Sequence, residues 1–276
     1  MGMRISSNIA SISAQRSLVG TQRDMQKTFA QLASGSRITR SADDAAGLAI
    51  SENLKAQIRS FTQAQRNAND GISMIQTAEG GLTESSNIVT RLRELGIQAA
   101  SDTIGDKERS LIQKEVVQLT GEVQRIAEST QFGDRKILNG SGDVVDFHVG
   151  LNANESTDVI KFDVSQADGR ASTLGIDGLD FSSKDGARSA LEVLDNASTM
   201  INGYRAQLGA IQNRLMSTSD NIGVMNENLS AANSRIRDTD VAASTAENAK
   251  NSILLQASTA VLSQANQAPQ LALKLI

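Results

Sequence analysis

The chain has 276 residues, a formal net charge of −4, only 3% aromatic residues, no Trp and no Cys. So few aromatic side chains supply a wide globular core poorly, and the absence of Cys excludes disulfides and thiolate metal sites. One proline, Pro269, leaves most of the chain free to be helical, and no eighteen apolar residues run together as a membrane span requires.

The opening Met1-Gly2-Met3-Arg4-Ile5-Ser6 has no apolar h-region, so no Sec signal is read there. Ile5, Ile9, Ile12 and Val19 then share one helical stripe, and Leu18, Met25, Phe29 and Leu32 an adjoining one, which predicts an amphipathic arm. Residues 1–42 carry six basic side chains against Asp24, net +5, but no tight Lys/Arg cluster and one aromatic residue. That pattern reads as a solvated helix flank, with no nucleic acid and no membrane insertion. Gly35 falls where a C-cap belongs, and Ser41-Ala-Asp-Asp44 restarts a helix, so a joint lies near residues 34–42.

From Asp44 to about Ala100 a long helix is predicted, with Leu54, Phe61, Ala68, Ile75, Leu82 and Val89 seven apart. Gly80-Gly81 is its expected weak point, since each Gly costs roughly 0.5–1 kcal/mol relative to Ala. Residues 101–105 read as a loop, with Asp106 capping an antiparallel helix that carries Ile112, Val116, Leu119, Val123 and Ile126. Residues 132–186 change character: turn signals flank alternating Val145, Phe147, Val149 and Ile160, Phe162, Val164, which predicts a small antiparallel β element.

Leu194, Ile201, Leu208, Leu215, Ile222, Leu229 and Ile236 then recur every seventh residue, with Ala197, Tyr204, Ile211, Thr218, Met225 and Ala232 three residues after the first six. This 3,4 alternation is a coiled-coil seam about 65 Å long, and the Leu54 to Val89 series is its match. Arg235 to Asp240 marks a second joint facing the first. Helix resumes at Val241, carrying Leu254, Ala257, Val261, Ala268, Leu271 and Leu275.

The expected fold is therefore mainly α: long antiparallel helices in a coiled-coil rod (residues 43–234) with a β-hairpin element, plus paired terminal arms, 1–42 and 235–276. Ordering an arm costs at least about 1 kcal/mol per residue, while burying each large apolar group returns about 1.5–3 kcal/mol. A lone arm does not close that gap, so its folding is expected to couple to packing among copies. Ile5, Ile12, Leu32, Leu254, Val261 and Leu271 are the expected self-assembly residues, and Asp43 with Asp44 the joint residues.

Chemistry is sparse. The lone histidine, His148, lies on the wet face of a strand with no second His or Cys to complete a zinc set. Asp43-Asp44 fits the first turn of a helix, where carboxylates favour the dipole, better than acid/base work. The glycine-containing turn at 140–142 lacks the lysine of a phosphate loop. No catalytic, metal-binding or cofactor-binding residue is assigned, and no cofactor is expected.

The joints and helix starts also carry a resemblance. Leu32-Ala-Ser-Gly-Ser-Arg-Ile38, Ser41-Ala-Asp-Asp-Ala-Ala-Gly-Leu-Ala-Ile50, Arg66-Asn-Ala-Asn-Asp-Gly-Ile-Ser73, Arg235-Ile-Arg-Asp-Thr-Asp240 and Leu262-Ser-Gln-Ala-Asn-Gln-Ala-Pro-Gln270 are similar to the terminal signatures of bacterial flagellins. The resemblance covers residues 1–140 and 187–276. It implies a secreted, extracellular structural subunit of the flagellar filament, not an enzyme, that polymerises with its arms in the inner core. It further implies contact with hook-associated and cap proteins, an export chaperone and the flagellar type III export apparatus. Arg91, Leu95 and Glu115 fall on the family's Toll-like receptor 5 contact positions. Large outer domains are lacking, Asn53 stands where arginine is common, and Gly96 replaces a usual alanine. The hook–filament junction protein is the nearest alternative. A chemoreceptor-type coiled coil is disfavoured by the β element, and a hydrolase built on His148 ranks last.

Overall fold

The computed structural model describes residues 7–141 and 143–273, the side chains from 268 onward excepted. Five long helices and two hairpins follow in the order α1 (Ile9–Ser34), α2 (Ala45–Ala99), α3 (Asp106–Ser129), β1 (Gln131–Phe132), β2 (Arg135–Lys136), β3 (Val144–His148), β4 (Val159–Asp163), α4 (Lys184–Arg237) and α5 (Val241–Leu273). The chain forms two compact units, one of Arg59–Asn226 and one of Met1–Ile58 with Glu227–Ile276.

In the unit of residues 59–226 the predicted seam is the core. Leu194, Ile201, Leu208, Leu215 and Ile222 are buried, as are Phe61, Ala68, Ile75, Leu82 and Val89 of the matching series. The helices run antiparallel: Arg93 Nε donates to Asp195 Oδ1 at 2.7 Å near one end, and Asn226 Nδ2 to Thr62 Oγ1 at 3.4 Å near the other. Heptad spacing explains this pairing, because it keeps one apolar edge toward the partner over many turns.

Antiparallel to α2 lies α3, with Ile112, Val116 and Val123 buried as predicted. Leu119 and Ile126 are only half-buried, whereas Arg109 and Ala127 of the same helix are buried. The N-cap of α3 is Gly105, not Asp106. Asp106 instead holds Arg109, whose Nε and Nη2 donate to the carbonyls of Ala99 and Ser101, each at 2.9 Å. A buried guanidinium thereby satisfies carbonyls at the C-terminal end of α2, where a positive charge also complements the dipole.

Strand alternation is reproduced in the β3–β4 hairpin, whose register sets Val145 opposite Phe162 and Phe147 opposite Ile160. Phe147 packs against Gly71 of α2, and Asn67 Nδ2 donates to the His148 carbonyl at 2.9 Å. His148 itself is exposed. The β character stops at Asp163, short of the expected residue 186. After a 3-10 turn at Val164–Gln166, the chain adopts an irregular packed segment in which Leu174, Ile176 and Phe181 are buried. Asp163, Asp168 and Asp180 each accept backbone N–H groups two residues on, and Gly175 and Gly178 have positive φ, so the extended run is broken repeatedly. Two glutamines of α3 substitute for strand neighbours: Gln113 donates to Leu179 O and accepts from Phe181 N, and Gln124 accepts from Ala171 N.

Gly80-Gly81 does not break α2. A Cβ at Gly81 would sit 2.7 Å from Leu138 Cδ1 and 2.8 Å from Thr130 Oγ1, whereas none of these neighbours comes within 4 Å at Gly80. Gly81 exists to admit the turn that follows α3, and Gly80 has no such constraint. Gly80→Ala is therefore expected to stabilise the chain by about 0.5–1 kcal/mol, and Gly81→Val to destabilise it by about 1–3 kcal/mol through overpacking. Urea midpoints of the two variants decide this; equal shifts of the same sign would remove the distinction.

Candidate assembly surface

In the unit of residues 1–58 and 227–276, α1 packs antiparallel on α5. Asn8 caps α1, accepting from Ser11 N at 3.1 Å, while its Nδ2 donates to Ala265 O at 2.8 Å. At the other end Gly35, with φ 67°, stops α1 in the left-handed conformation that favours glycine, and its carbonyl accepts from Thr239 N at 3.1 Å. Asp240 caps α5 by accepting from Ala242 N and Ala243 N.

The covered face of α1 runs Ser11, Ala14, Leu18, Thr21, Met25, Thr28, Leu32, and that of α5 runs Ser244, Asn248, Asn251, Leu255, Ser258, Leu262, Ala265. Both follow 3,4 spacing, yet more than half of these side chains are small or polar. Among the described residues, the only fully buried side chains of the two helices are Thr28, 8% exposed, and Asn251, 3% exposed. The Thr28 hydroxyl is satisfied by donating to backbone carbonyls of its own helix, whereas Asn251 Nδ2 has no partner.

Other large apolar side chains of the two helices are exposed. Ile12 is 54% exposed, Leu254 42% and Val261 56%, and Ile9, Val19, Phe29, Val241 and Ile253 are exposed with them. Of the sequence-predicted residues, Ile12, Leu254 and Val261 are thus exposed, and Leu32 is half-buried. Ile5 and the Leu271 side chain lie outside the described residues. The sequence reading chose Leu254 and Val261 of α5 for packing, which are exposed here, and missed Leu255 and Leu262 on the covered face, whose signal was the 3,4 spacing of small polar residues around them. Each exposed aliphatic group forgoes about 1.5–3 kcal/mol of burial, and so many on one helix pair mark a candidate association surface.

The joint is a polar clamp. Arg37 N donates to Arg237 O at 2.6 Å, Arg37 Nη2 to Ile236 O at 2.7 Å, Ser36 bridges Asp238, and Arg237 pairs with Glu52. Ile38 is buried beneath it, and Gly47 packs closely there: a Cβ would lie 2.4 Å from Asp44 Oδ2 and 3.0 Å from Ile38 Cδ1. Asp44 is the residue before α2 and accepts from Gly47 N at 2.8 Å. Asp43 lies in the preceding turn and not, as expected, in the first helical turn. It accepts from Thr39 N, Thr39 Oγ1 and Arg40 N and pairs with Lys27 of α1 at 3.2 Å.

The Lys27 ammonium, followed by the Thr39 hydroxyl, holds the Asp43 carboxyl down at about 2, against an ordinary 3.8. A depressed folded-state value means that Asp43 contributes its stability above the ordinary value and loses it as pH falls from about 4 through about 2. Carbon-detected NMR titration is expected to show this, with Lys27→Met moving Asp43 up toward the ordinary value. An unmoved midpoint would refute the assignment to Lys27.

Arg91, Leu95 and Glu115 belong to the other unit. Arg91 Nη2 and Glu115 Oε1 are 3.1 Å apart on the surface, Arg91 also reaches Glu94, and Leu95 is 2% exposed. Leu95 therefore acts there through packing. Among the described residues, no His/Cys/Asp/Glu group suited to a metal is present, and no helix is long and apolar enough to cross a membrane.

Comparison with known proteins gives a consistent result. The bacterial flagellin N-terminal helical region matches residues 5–143, and its C-terminal helical region matches residues 191–276. A flagellin of Halalkalibacterium halodurans is 42% identical over 274 residues, covering 99% of this chain and 100% of the relative. The flagellar filament core protein of Brachyspira hyodysenteriae is 44% identical over 284 residues, with coverage of 99% and 100%. The crystal structure of Bacillus cereus flagellin aligns with a TM-score of 0.51 at 29% identity, covering 61% of this chain and 94% of that one. A putative flagellar hook-associated protein from Vibrio parahaemolyticus shares the fold, with a TM-score of 0.60 at 14% identity over 71% of this chain and all of the other.

Proposed function

Because the chain belongs to the bacterial flagellin family, it is an extracellular structural subunit of the flagellar filament, and we propose that the outward apolar faces of α1 and α5 are its polymerisation surface. The observation that carries this reading is the inversion of the arm pair: polar side chains are buried between the helices while Ile12, Leu254 and Val261 remain exposed. Neighbouring copies are the occupants that complete it. Ile5 and Leu271 belong to the same packing set, Leu32 packs within the arm pair, and folding of the arms couples to assembly.

Residues 1–42 and 235–276 form the inner core of the polymer in this reading and residues 43–234 the surrounding domain, with Asp43 and Asp44 at the joint. Hook-associated and cap proteins, an export chaperone and the type III export apparatus are the partners of a chain that leaves the cell unfolded. Arg91 and Glu115 present the surface that Toll-like receptor 5 would contact, with Leu95 supporting them from below. The role is mechanical and no residue is assigned to catalysis. The hook–filament junction alternative is not favoured, since relatives 42–44% identical over nearly the whole chain are a flagellin and a filament core protein.

Seeding purified monomer with sheared filament fragments tests the proposal. Long tubes seen by negative-stain microscopy are the expected product. Monomer that stays soluble over seeds at any concentration would overturn it.

A further inference from the structure

Two Asn-Gly steps occur in the chain, Asn139-Gly140 and Asn202-Gly203. They share one sequence and differ in backbone. Asn139-Gly140 occupies the turn after β2, where Gly140 has φ 62° and Asn139 Oδ1 accepts from Ser141 N at 3.2 Å. That bond folds the carboxamide back over the following peptide and polarises its carbonyl. Asn202-Gly203 lies within α4, where the Gly203 N–H is committed to the helical ladder. Exposure alone ranks the two in the opposite order, since Asn202 is exposed and Asn139 only half-exposed.

We propose that Asn139 is a spontaneous deamidation site and that Asn202 is not. The Gly140 backbone nitrogen attacks the Asn139 side-chain carbonyl carbon, forming a five-membered imide as ammonia leaves with the displaced proton. Water then adds at either imide carbonyl to give aspartate or isoaspartate; no electrons are transferred and no other co-reactant is needed. Asp168 packs against the same turn, with its Oδ2 2.4 Å from where a Gly140 Cβ would be. Asp168 is held by Arg170 Nε and Nη2 and by Thr173 Oγ1, so the turn that gains the new charge adjoins a carboxylate already paired. Asn139 thus records the age of the subunit as an irreversible charge.

The test is incubation of soluble monomer at mildly alkaline pH, followed by peptide mass mapping and enzymatic methylation of isoaspartate. The expected result is a gain of one mass unit at Asn139 at least about tenfold faster than at Asn202, because a helical glycine must first open locally. Asn139→Gln is expected to remove the acidic species from isoelectric focusing. Equal or faster reaction at Asn202, an unchanged Asn139, or persistence of the acidic species in Asn139→Gln would overturn the proposal. No filament is formed in this assay, so its outcome is separate from that of the polymerisation surface.

Discussion

Leu254→Asp and Val261→Asp are each expected to abolish seeded filament growth while leaving residues 59–226 folded. Both positions are exposed in the single chain, 42% and 56%, so a carboxylate there meets water and costs the monomer little. Packing against neighbours would desolvate that carboxylate without a partner, at a penalty of several kcal/mol per subunit. Each ~1.4 kcal/mol is tenfold in affinity, so the critical concentration rises about a thousandfold or more. Sedimentation after seeding measures this, with unchanged thermal unfolding as the control for the rest of the chain. Normal pelleting of either variant would remove the outward stripe as the polymerisation surface. A matched substitution on the exposed face of α3, Leu111→Asp, is expected to leave growth far less affected, which separates a specific surface from general loss of solubility.

Phe181→Ala should be the most damaging single truncation in the unit of residues 59–226, costing about 3–5 kcal/mol. Phe181 is fully buried although it lies in no helix or strand, and its ring sits against the surface left open by Gly96, where a Cβ would lie 3.5 Å from Cζ. Its backbone is fixed as well, with the Phe181 N–H donating to Gln113 Oε1 at 2.6 Å. The surrounding backbone therefore has little freedom to collapse into the cavity, which places the cost toward the upper part of that range. Denaturant midpoints at constant slope give the number. A loss under about 1 kcal/mol would mean that the irregular segment is a loose cover and not part of the core.

Both predictions concern features that the sequence displays unequally. The stripe bearing Leu254 and Val261 was legible, because the apolar residues of α5 recur at helical spacing. The same holds for the Leu194 to Ile222 seam, the β3–β4 alternation and the joint at Gly35. Phe181 was legible only as part of an overextended β element, since turn chemistry at Asp168, Gly175 and Gly178 outweighed its apolar pattern. Arg109 gave no signal at all. A lone arginine on a helix looks like solvated surface until the carbonyls of Ala99 and Ser101 are brought beside it.

Periodicity fixes which residues share a face, and that is a property of one helix considered alone. The amino-acid order therefore determined the helices, their antiparallel pairing, the alternation of the hairpin strands and the family to which the chain belongs. Which face is covered depends on the surface that arrives from elsewhere in the chain. Only the tertiary structure decided that α1 and α5 turn Thr28 and Asn251 inward and Ile12, Leu254 and Val261 outward. It likewise made Gly81 a point of close approach while leaving its neighbour Gly80 unconstrained. The physical reason is common to all of these: burial is a relation between two surfaces distant in sequence, and local spacing specifies only one of them.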